Sequence, residues 1–187
     1  AEAVTPEVIQ FFCSEACGLI CMPITEERAR QLKLPMMASN NLSQHETNFT
    51  VSIDATEQIG PGISAIQRAH TVAKAVKRDA KPTDIEQPGH IFPLVAKPGG
   101  VLRRAGHTEA SVDISKLAGM GKSAVICEIM NDDGTMAKGK KLLEYARKHS
   151  LKIGKIDDLI SYRLKKESFI KQREEKIVII NKKKYKL

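Results

Sequence analysis

The stretch that says most about the fold is residues 99–109, Gly-Gly-Val-Leu-Arg-Arg-Ala-Gly-His-Thr-Glu. A strand-like run precedes it at residues 89–96, and the residues after Thr108 have the apolar spacing of a helix. Runs of strand and helix character alternate on both sides of this stretch. The mixture predicts an α/β (α+β) fold, a single domain with a mixed β-sheet flanked by helices.

The same stretch predicts an anion-binding helix start, with Thr108 as the capping residue. Free backbone N–H groups and the helix dipole favour an anion at such a place. Arg104 can hold a phosphate with two parallel hydrogen bonds, and Gly106 lets a ligand approach the backbone. His107 can bind a metal or exchange a proton. The alternative is that Thr108 only caps the helix and that His107 packs at its entrance.

Three further residues are candidates for chemistry. Glu128 interrupts a strongly apolar run, residues 124–129, where burying a carboxylate is costly unless it is paired or protonated. A buried Glu128 would suit a general acid or base, whereas an edge strand would let it reach solvent. His90 opens a predicted strand, where a structural role is the common one. Cys21 has the character of a core residue.

Two segments between these candidates have clear patterns. Residues 49–54 alternate, which predicts a strand with Phe49, Val51 and Ile53 on its buried face. Ser64 opens a predicted helix that runs to about Lys77. Its predicted inner face consists of Ala65, Ala69, Val72, Ala73 and Val76. Nearer the C-terminus we expect a short strand around Ile153, a helix from about Asp158 towards Lys176 with Asp157 as its cap, and a strand at Ile177–Ile180.

Charge and cysteine content limit the class of protein. The net charge is +8, yet residues 163–187 hold ten Lys or Arg and three Glu, so that tail alone contributes +7. A solvated basic helix is favoured there over a nucleic-acid arm. No apolar run approaches the roughly 18 residues of a membrane-spanning helix. Four cysteines, with Cys13, Cys17 and Cys21 spaced C-x3-C-x3-C, fit core positions better than an iron–sulfur cluster and predict a reducing cytoplasm.

Nine segments occur in an order characteristic of one family: residues 18–21, 25–28, 34–37, 47–51, 62–65, 88–94, 99–109, 127–137 and 158–163. Together they resemble the 3,4-dihydroxy-2-butanone 4-phosphate synthase family of riboflavin biosynthesis. The resemblance implies a synthase-like domain over residues 1–163, followed by a basic helical linker or tail at residues 164–187. In bifunctional relatives such a linker leads into a GTP cyclohydrolase II domain.

The resemblance also implies a lyase reaction. Ribulose 5-phosphate would lose one carbon as formate and become 3,4-dihydroxy-2-butanone 4-phosphate, with magnesium or manganese stabilising enediolate intermediates. It implies a homodimer with active sites at the interface, His107 as a metal ligand, and His90 and Glu128 as catalytic residues. The residues expected to contact substrate are Arg104, Ala105, Gly106, His107, Thr108, Glu128 and Cys21.

The chain departs from the family pattern at several points. The family has an acidic, metal-binding segment ahead of the place where this sequence begins, so we expect a chain cut from a longer protein. Gly60 and Pro61 stand where two Thr are usual, Gln67 where Asp is usual, and Glu46 where Gly is usual. An alternative is therefore a catalytically silent homologue that binds sugar phosphate or acts as a dimer scaffold.

Overall fold

The computed structural model describes residues 1–42, 47–167, 177–180 and 183–186. Its helices are α1 (Pro6–Phe11), α2 (Glu26–Gln31), α3 (Ala65–Val76), α4 (His107–Leu117), α5 (Lys140–Lys148) and α6 (Ile156–Lys166). A π-helical segment, Phe12–Ala16, continues α1, and short 3-10 helices form at Pro82–Asp84 and Gly100–Leu102. The strands are β1 (Cys21–Thr25), β2 (Ile53–Ala55), β3 (Ile85–Ala96), β4 (Ile177–Ile180) and β5 (Lys183–Lys186).

The sheet that carries the domain is mixed, with strand order β1-β3-β2. β1 runs parallel to β3 and places Cys21 opposite Phe92, while β2 runs antiparallel to β3 and places Ile53 opposite Ile91. The predicted fold class is confirmed. Helix α3 packs on β2, β3 and α1, and α4 packs on β1 and β3. The core contains Ile9, Met22, Ile24, Ile53, Val72 and Ile91, all fully buried.

The prediction of one buried face at residues 49–54 is wrong. Thr50, Ser52 and Asp54 are buried, and Phe49 and Val51 are only partly so. Each polar side chain has a partner inside: Thr50 donates to a backbone carbonyl, Ser52 accepts from Gly89 N–H, and Asp54 accepts from His90. Paired polar groups can be buried at little cost, so this segment is enclosed on both faces.

The apolar run at residues 124–129 does not form a strand of the sheet. Its pairing with this part of the chain consists of isolated β-bridges. Ile126 pairs with Cys21 in β1, and Ile129 pairs with Cys17, which precedes β1. The ladder is interrupted because Pro23 accepts a bond from Ala124 but has no N–H to return one. The run nevertheless fixes the backbone that precedes Glu128.

The prediction for α3 is confirmed at its start, where Ser64 caps the helix by accepting from Gln67 N–H. Its inner face differs from the predicted one. Gln67 and Thr71 are fully buried beside Ala69 and Val72, whereas Ala73 is exposed. The polar pair is tolerated because both side chains are hydrogen bonded, Gln67 to Ile59 N–H and Glu57 O and Thr71 to Ala55 N–H and Gln67 O.

The C-terminal part combines a helix with a hairpin. Lys155, not Asp157, is the capping residue of α6, which ends at Lys166; the rest of the predicted helix, residues 168–176, lies outside the described residues. The predicted short strand at Ile153 is absent from residues 151–155, which have no regular structure. The predicted strand Ile177–Ile180 is confirmed and pairs antiparallel with β5. Within the described chain, no helix is long and apolar enough to cross a membrane.

Candidate active site

His90 is held by a buried carboxylate from the neighbouring strand. Oδ1 of Asp54 accepts from His90 backbone N–H at 3.0 Å, and Oδ2 lies 2.6 Å from Nδ1 of the ring. The Asp54 side chain is 6% exposed and the His90 side chain 43% exposed. Because a carboxylate only accepts hydrogen bonds, Nδ1 carries the proton and Nε2 is the ring atom left to exchange one. We call Asp54, Gly62 and His90 the His90 cluster.

Gly62 belongs to this cluster because its backbone lies directly on the histidine. A Cβ atom at Gly62 would sit 2.6 Å from Cε1 and Nδ1 of His90 and 2.8 Å from Oδ2 of Asp54. A side chain at this position would collide with the ring or its partner. The loop between β2 and α3 therefore forms one wall of the histidine's surroundings.

Glu128 lies near the same end of the sheet. Its side chain is exposed, and Oε2 accepts a hydrogen bond from Leu19 N–H at 2.9 Å. The register that places Cys21 opposite Phe92 brings Leu19 to the level of His90. Of the two interpretations that the sequence left open, the carboxylate that reaches solvent is the one observed. Its position is nevertheless fixed by the backbone bond.

Cys21 is 2% exposed and packs inside the domain. Burial, with the neighbouring Glu128 and Cys127 adding to it, raises the pKa of the Cys21 thiol to about 12. The thiol is therefore neutral at ordinary pH. This agrees with the core role expected from its sequence context, while the contact with substrate that the family resemblance implies stays a prediction.

At the other end of β3, Arg104 is fixed by a second buried carboxylate. Nη1 of Arg104 lies 2.6 Å from Oε2 of Glu109, whose side chain is 1% exposed. Oε1 of Glu109 accepts from Lys97 N–H at 2.9 Å, and Nη2 of Arg104 donates to Oγ1 of Thr47 at 3.2 Å. We call Thr47, Arg104 and Glu109 the Arg104 cluster. Its guanidinium is held by protein on at least two sides.

Gly106 has a structural role that the sequence did not predict. A Cβ atom there would lie 2.2 Å from Nη1 of Arg104 and 2.6 Å from Oε2 of Glu109. The ion pair thus fills the space that a side chain would need, while the predicted approach of a ligand to the Gly106 backbone stays a prediction. Gly106 allows the Arg104 cluster to form.

The start of α4 is displaced from the prediction. Gly106 is the residue before the helix and His107 its first residue, so Thr108 does not cap it. Ala105 and His107 are exposed, whereas Thr108 is 5% exposed. Within the described residues, the N–H groups of His107, Thr108 and Glu109 have no acceptor, because Ala110 is the first to bond back, to Gly106 O. The predicted anion seat is therefore available.

The two clusters are not brought together within one chain. His90 lies six residues before Ala96, the last residue of β3, and Glu109 binds the next residue, Lys97. Six residues of strand span roughly 20 Å. The predicted site residues thus form two groups, His90 with Glu128 and Arg104 with His107.

Two further observations concern ligands. A cavity of about 330 Å³ lies near the end of β1 and β3, lined by residues that include Thr25, Ala96, Lys97 and Val112, and none of the predicted site residues lines it. Among the described residues, no three His, Cys, Asp or Glu side chains converge as a metal site. His107 can supply one ligand, so the donors among the described residues do not by themselves fit a divalent metal.

Asp54 and Glu109 are the functional residues that the sequence did not reveal. Asp54 stood at an apparently outward position of an alternating strand, and Glu109 looked like an ordinary acid in a first helical turn. Their roles follow from their contacts, Asp54 with His90 and Glu109 with Arg104. These contacts form only when the strands pair and the loops close, so the local sequence pattern does not predict them. Gln67 stands out in the sequence only as a departure from the family pattern, because its burial depends on which face of α3 packs inward.

Comparisons with known proteins identify the family of this chain. The family model described as 3,4-dihydroxy-2-butanone 4-phosphate synthase matches residues 1–162. A protein of that name from Neisseria meningitidis serogroup A is 55% identical over 170 residues, which are 91% of this chain and 47% of the relative. Riboflavin biosynthesis protein RibBA of Aquifex aeolicus is 54% identical over 174 residues, 92% of this chain and 43% of the relative.

A solved structure extends the similarity to three dimensions. It is a 3,4-dihydroxy-2-butanone 4-phosphate synthase in complex with two magnesium ions, with a TM-score of 0.84 at 40% identity over 88% of this chain and 82% of that one. The chain spans about half the length of the two curated relatives. The family match includes both clusters and Glu128. The chain therefore belongs to the 3,4-dihydroxy-2-butanone 4-phosphate synthase family of riboflavin biosynthesis.

Proposed function

We propose that this chain catalyses the conversion of ribulose 5-phosphate to 3,4-dihydroxy-2-butanone 4-phosphate and formate. The observation that carries the proposal is the His90–Asp54 pair, a partly exposed imidazole with its Nδ1 fixed by a buried carboxylate, inside a family match of 162 residues. Carbon skeleton rearrangement through an enediolate needs groups that take and return protons. Family membership gives the reaction, and the pair gives it a means of proton transfer.

His90 is the residue that we propose to move protons. Asp54 keeps the proton on Nδ1, so Nε2 can accept a proton from a sugar carbon or hydroxyl and return it later. The buried Asp54 carboxylate, through its bond to Nδ1, holds the His90 ring in one orientation. This is the role that the family resemblance assigns to His90.

Glu128 is the second catalytic residue of the proposal. Its carboxylate is exposed to solvent but oriented by Leu19 N–H through Oε2. Oε1 has no partner within the described residues and can accept from a substrate hydroxyl. Glu128 can thus orient or deprotonate a diol close to His90.

The phosphate is proposed to bind at the start of α4. The N–H groups of His107, Thr108 and Glu109 favour an anion, and the Arg104 side chain, 22% exposed, lies beside them. Glu109 keeps that guanidinium in one place. Ala105 and Gly106 would contact the substrate through backbone atoms.

Two copies of the chain would be needed for one complete site. A five-carbon sugar phosphate is shorter than the roughly 20 Å of strand between the two clusters. A twofold dimer that sets the Arg104 cluster of one copy against the His90 cluster of the other would join them. Exposed apolar side chains that could support such contact include Leu19, Met36, Ile59 and Ile63.

A divalent metal is the proposed cofactor. The relative of known structure binds magnesium, and a metal of this kind stabilises negative charge on sugar oxygens. His107 is exposed and can serve as one ligand; the others would come from outside the described residues of one chain. Magnesium and manganese both remain candidates, and the two can be compared by activity after removal of bound metal.

The experiment is formate release from ribulose 5-phosphate by the full chain, with magnesium, with manganese and with a chelator. Metal-dependent formate is the expected result. His90→Ala and Glu128→Ala should abolish it, while Asp79→Ala, an exposed residue, should not. No formate from a folded, metal-loaded sample would contradict the proposal.

A second candidate function is sugar-phosphate binding without turnover. It is favoured by the loop over His90, where Gly60 and Pro61 offer no hydroxyl and Gly62 packs on the ring. Tight binding of ribulose 5-phosphate by calorimetry, without formate, would support this alternative.

We further propose a cytoplasmic location, which the four free thiols support. We also propose a GTP cyclohydrolase II-type domain in the longer protein, which the length of the relatives supports.

A further inference from the structure

Gln67, one of the departures from the family pattern, is fully buried at the base of the loop that covers His90. Its Oε1 accepts from Ile59 N–H at 2.8 Å, and its Nε2 donates to Glu57 O at 3.2 Å. The loop therefore needs a side chain that both donates and accepts. An ionised Asp, the usual family residue, is shorter and can only accept.

The base of this clamp is itself fixed. Oγ1 of Thr71, one turn along α3, accepts from Ala55 N–H at 2.9 Å and donates to Gln67 O at 3.0 Å. Ala55 follows Asp54 in β2. Gln67 is thus tied to the strand that carries the carboxylate of the His90 cluster.

The other end of the loop lies against the histidine. Ser64 N–H donates to Pro61 O at 2.8 Å, which turns the chain so that Gly62 packs on His90 and Asp54. Ser64 also accepts from Gln67 N–H at 3.2 Å. A movement of residues 57–62 would therefore open or close the space next to the ring.

We propose that Gln67 is a positioning residue, whose buried amide clamps residues 57–62 so that Gly62 stays against His90 and the His90–Asp54 pair keeps its geometry. In this chain the clamp supports a loop built from Gly60 and Pro61. Because the catalytic consequence goes through His90, that part of the inference rests on the proposed function. The effect of the clamp on the geometry of the His90 ring does not rest on the proposed function.

The test compares Gln67→Met, which removes both hydrogen bonds, and Gln67→Glu, which keeps the shape and the acceptor but loses the donor. Gln58→Met is the matched control, because Gln58 lies in the same loop but is exposed and bonds to Ala55 and Glu86 instead. The first readout is the NMR signals of the His90 ring in the full chain. The second is kcat and KM for formate release.

We expect Gln67→Met to shift or broaden the His90 ring signals and to lower kcat by about tenfold to a hundredfold, the range for a slightly misplaced catalytic group. KM should change much less, since the phosphate is bound at the Arg104 cluster. Gln67→Glu should give a smaller effect of the same kind, and Gln58→Met should give none. If Gln67→Met does not fold, Gln67→Glu decides alone.

Unchanged ring signals and unchanged kcat in a folded Gln67 variant would overturn the inference. Ring signals that respond to Gln67 in a protein that releases no formate would support the clamp and contradict the proposed function. Normal formate release with His90 ring signals that do not respond to the Gln67 substitutions would contradict the clamp and support the proposed function.

Discussion

The His90 cluster and the Arg104 cluster each contain a buried carboxylate, and the two carboxylates have different partners. Asp54 at the His90 cluster binds a ring that is partly exposed to solvent, so its partner remains able to exchange a proton. Glu109 at the Arg104 cluster binds a guanidinium and a backbone N–H, and its partner cannot lose its charge. The difference suits the His90 cluster to the proton transfer proposed for it and the Arg104 cluster to the proposed binding of negative charge.

The largest expected effect is on stability at the Arg104 cluster. Glu109→Ala leaves the Arg104 guanidinium and Lys97 N–H without their buried acceptor, which should lower the free energy of unfolding by about 3–5 kcal/mol. Urea denaturation measures this. Glu27→Ala, which removes a pair in which both side chains are mostly exposed, should change it little. Equal effects of the two variants would refute the distinction.

At the His90 cluster the main effect should be on catalysis. Asp54→Asn keeps the size of the side chain but can donate to Nδ1, which favours the wrong tautomer, and kcat should fall by about 100-fold or more. Nitrogen NMR of the ring reports the tautomer directly. Asp79→Asn, at an exposed position, serves as the control. Full kcat in the Asp54→Asn variant would show that the carboxylate does not set the proton position.

Gly106→Ala separates binding from proton transfer. The new methyl group would displace the Arg104 guanidinium, so KM for the sugar phosphate should rise several-fold, with a stability loss of about 1–3 kcal/mol. Kinetics and denaturation together test this. Gly154→Ala is the matched control, because no atom lies within 4 Å of the added Cβ. A fall in kcat with KM unchanged would contradict the assignment of this cluster to binding.

The smallest effect is a pH dependence near the His90 cluster. Burial raises the pKa of Cys21 to about 12 and that of Cys127 to about 11, from an ordinary value of 9.0. Below the ordinary value both thiols are neutral in both states; above it the unfolded chain ionises first, so stability falls as pH rises. Urea denaturation at about pH 8 and about pH 10 measures the loss. The loss should be smaller in Cys21→Ala and Cys127→Ala; an equal loss would contradict the prediction.

Much of this arrangement could be predicted from sequence. The mixed fold, the start of α3 at Ser64 and the helix start near His107 follow from local patterns of strand, cap and helix. Burial of Thr50 and Asp54 could not be predicted, because it depends on partners that strand pairing brings from β3. Gly106 is predicted from sequence to let a ligand approach the backbone. A glycine indicates that some group lies close, but it does not identify that group, which here includes the Arg104 guanidinium. Pro23 interrupts the pairing of β1 with residues 124–129. The two segments are far apart in the chain, so the apolar pattern alone does not reveal this interruption.

The central claim is that the two clusters act on one substrate from two copies of the chain. The most direct measurement mixes His90→Ala with His107→Ala, each inactive alone, and follows formate release after subunit exchange. A site shared between copies predicts that activity returns, to about a quarter of the wild-type level for random twofold dimers, because half the dimers are mixed and each mixed dimer has one intact site. Mixtures that exchange subunits and remain inactive, beside an active wild type, would contradict the claim.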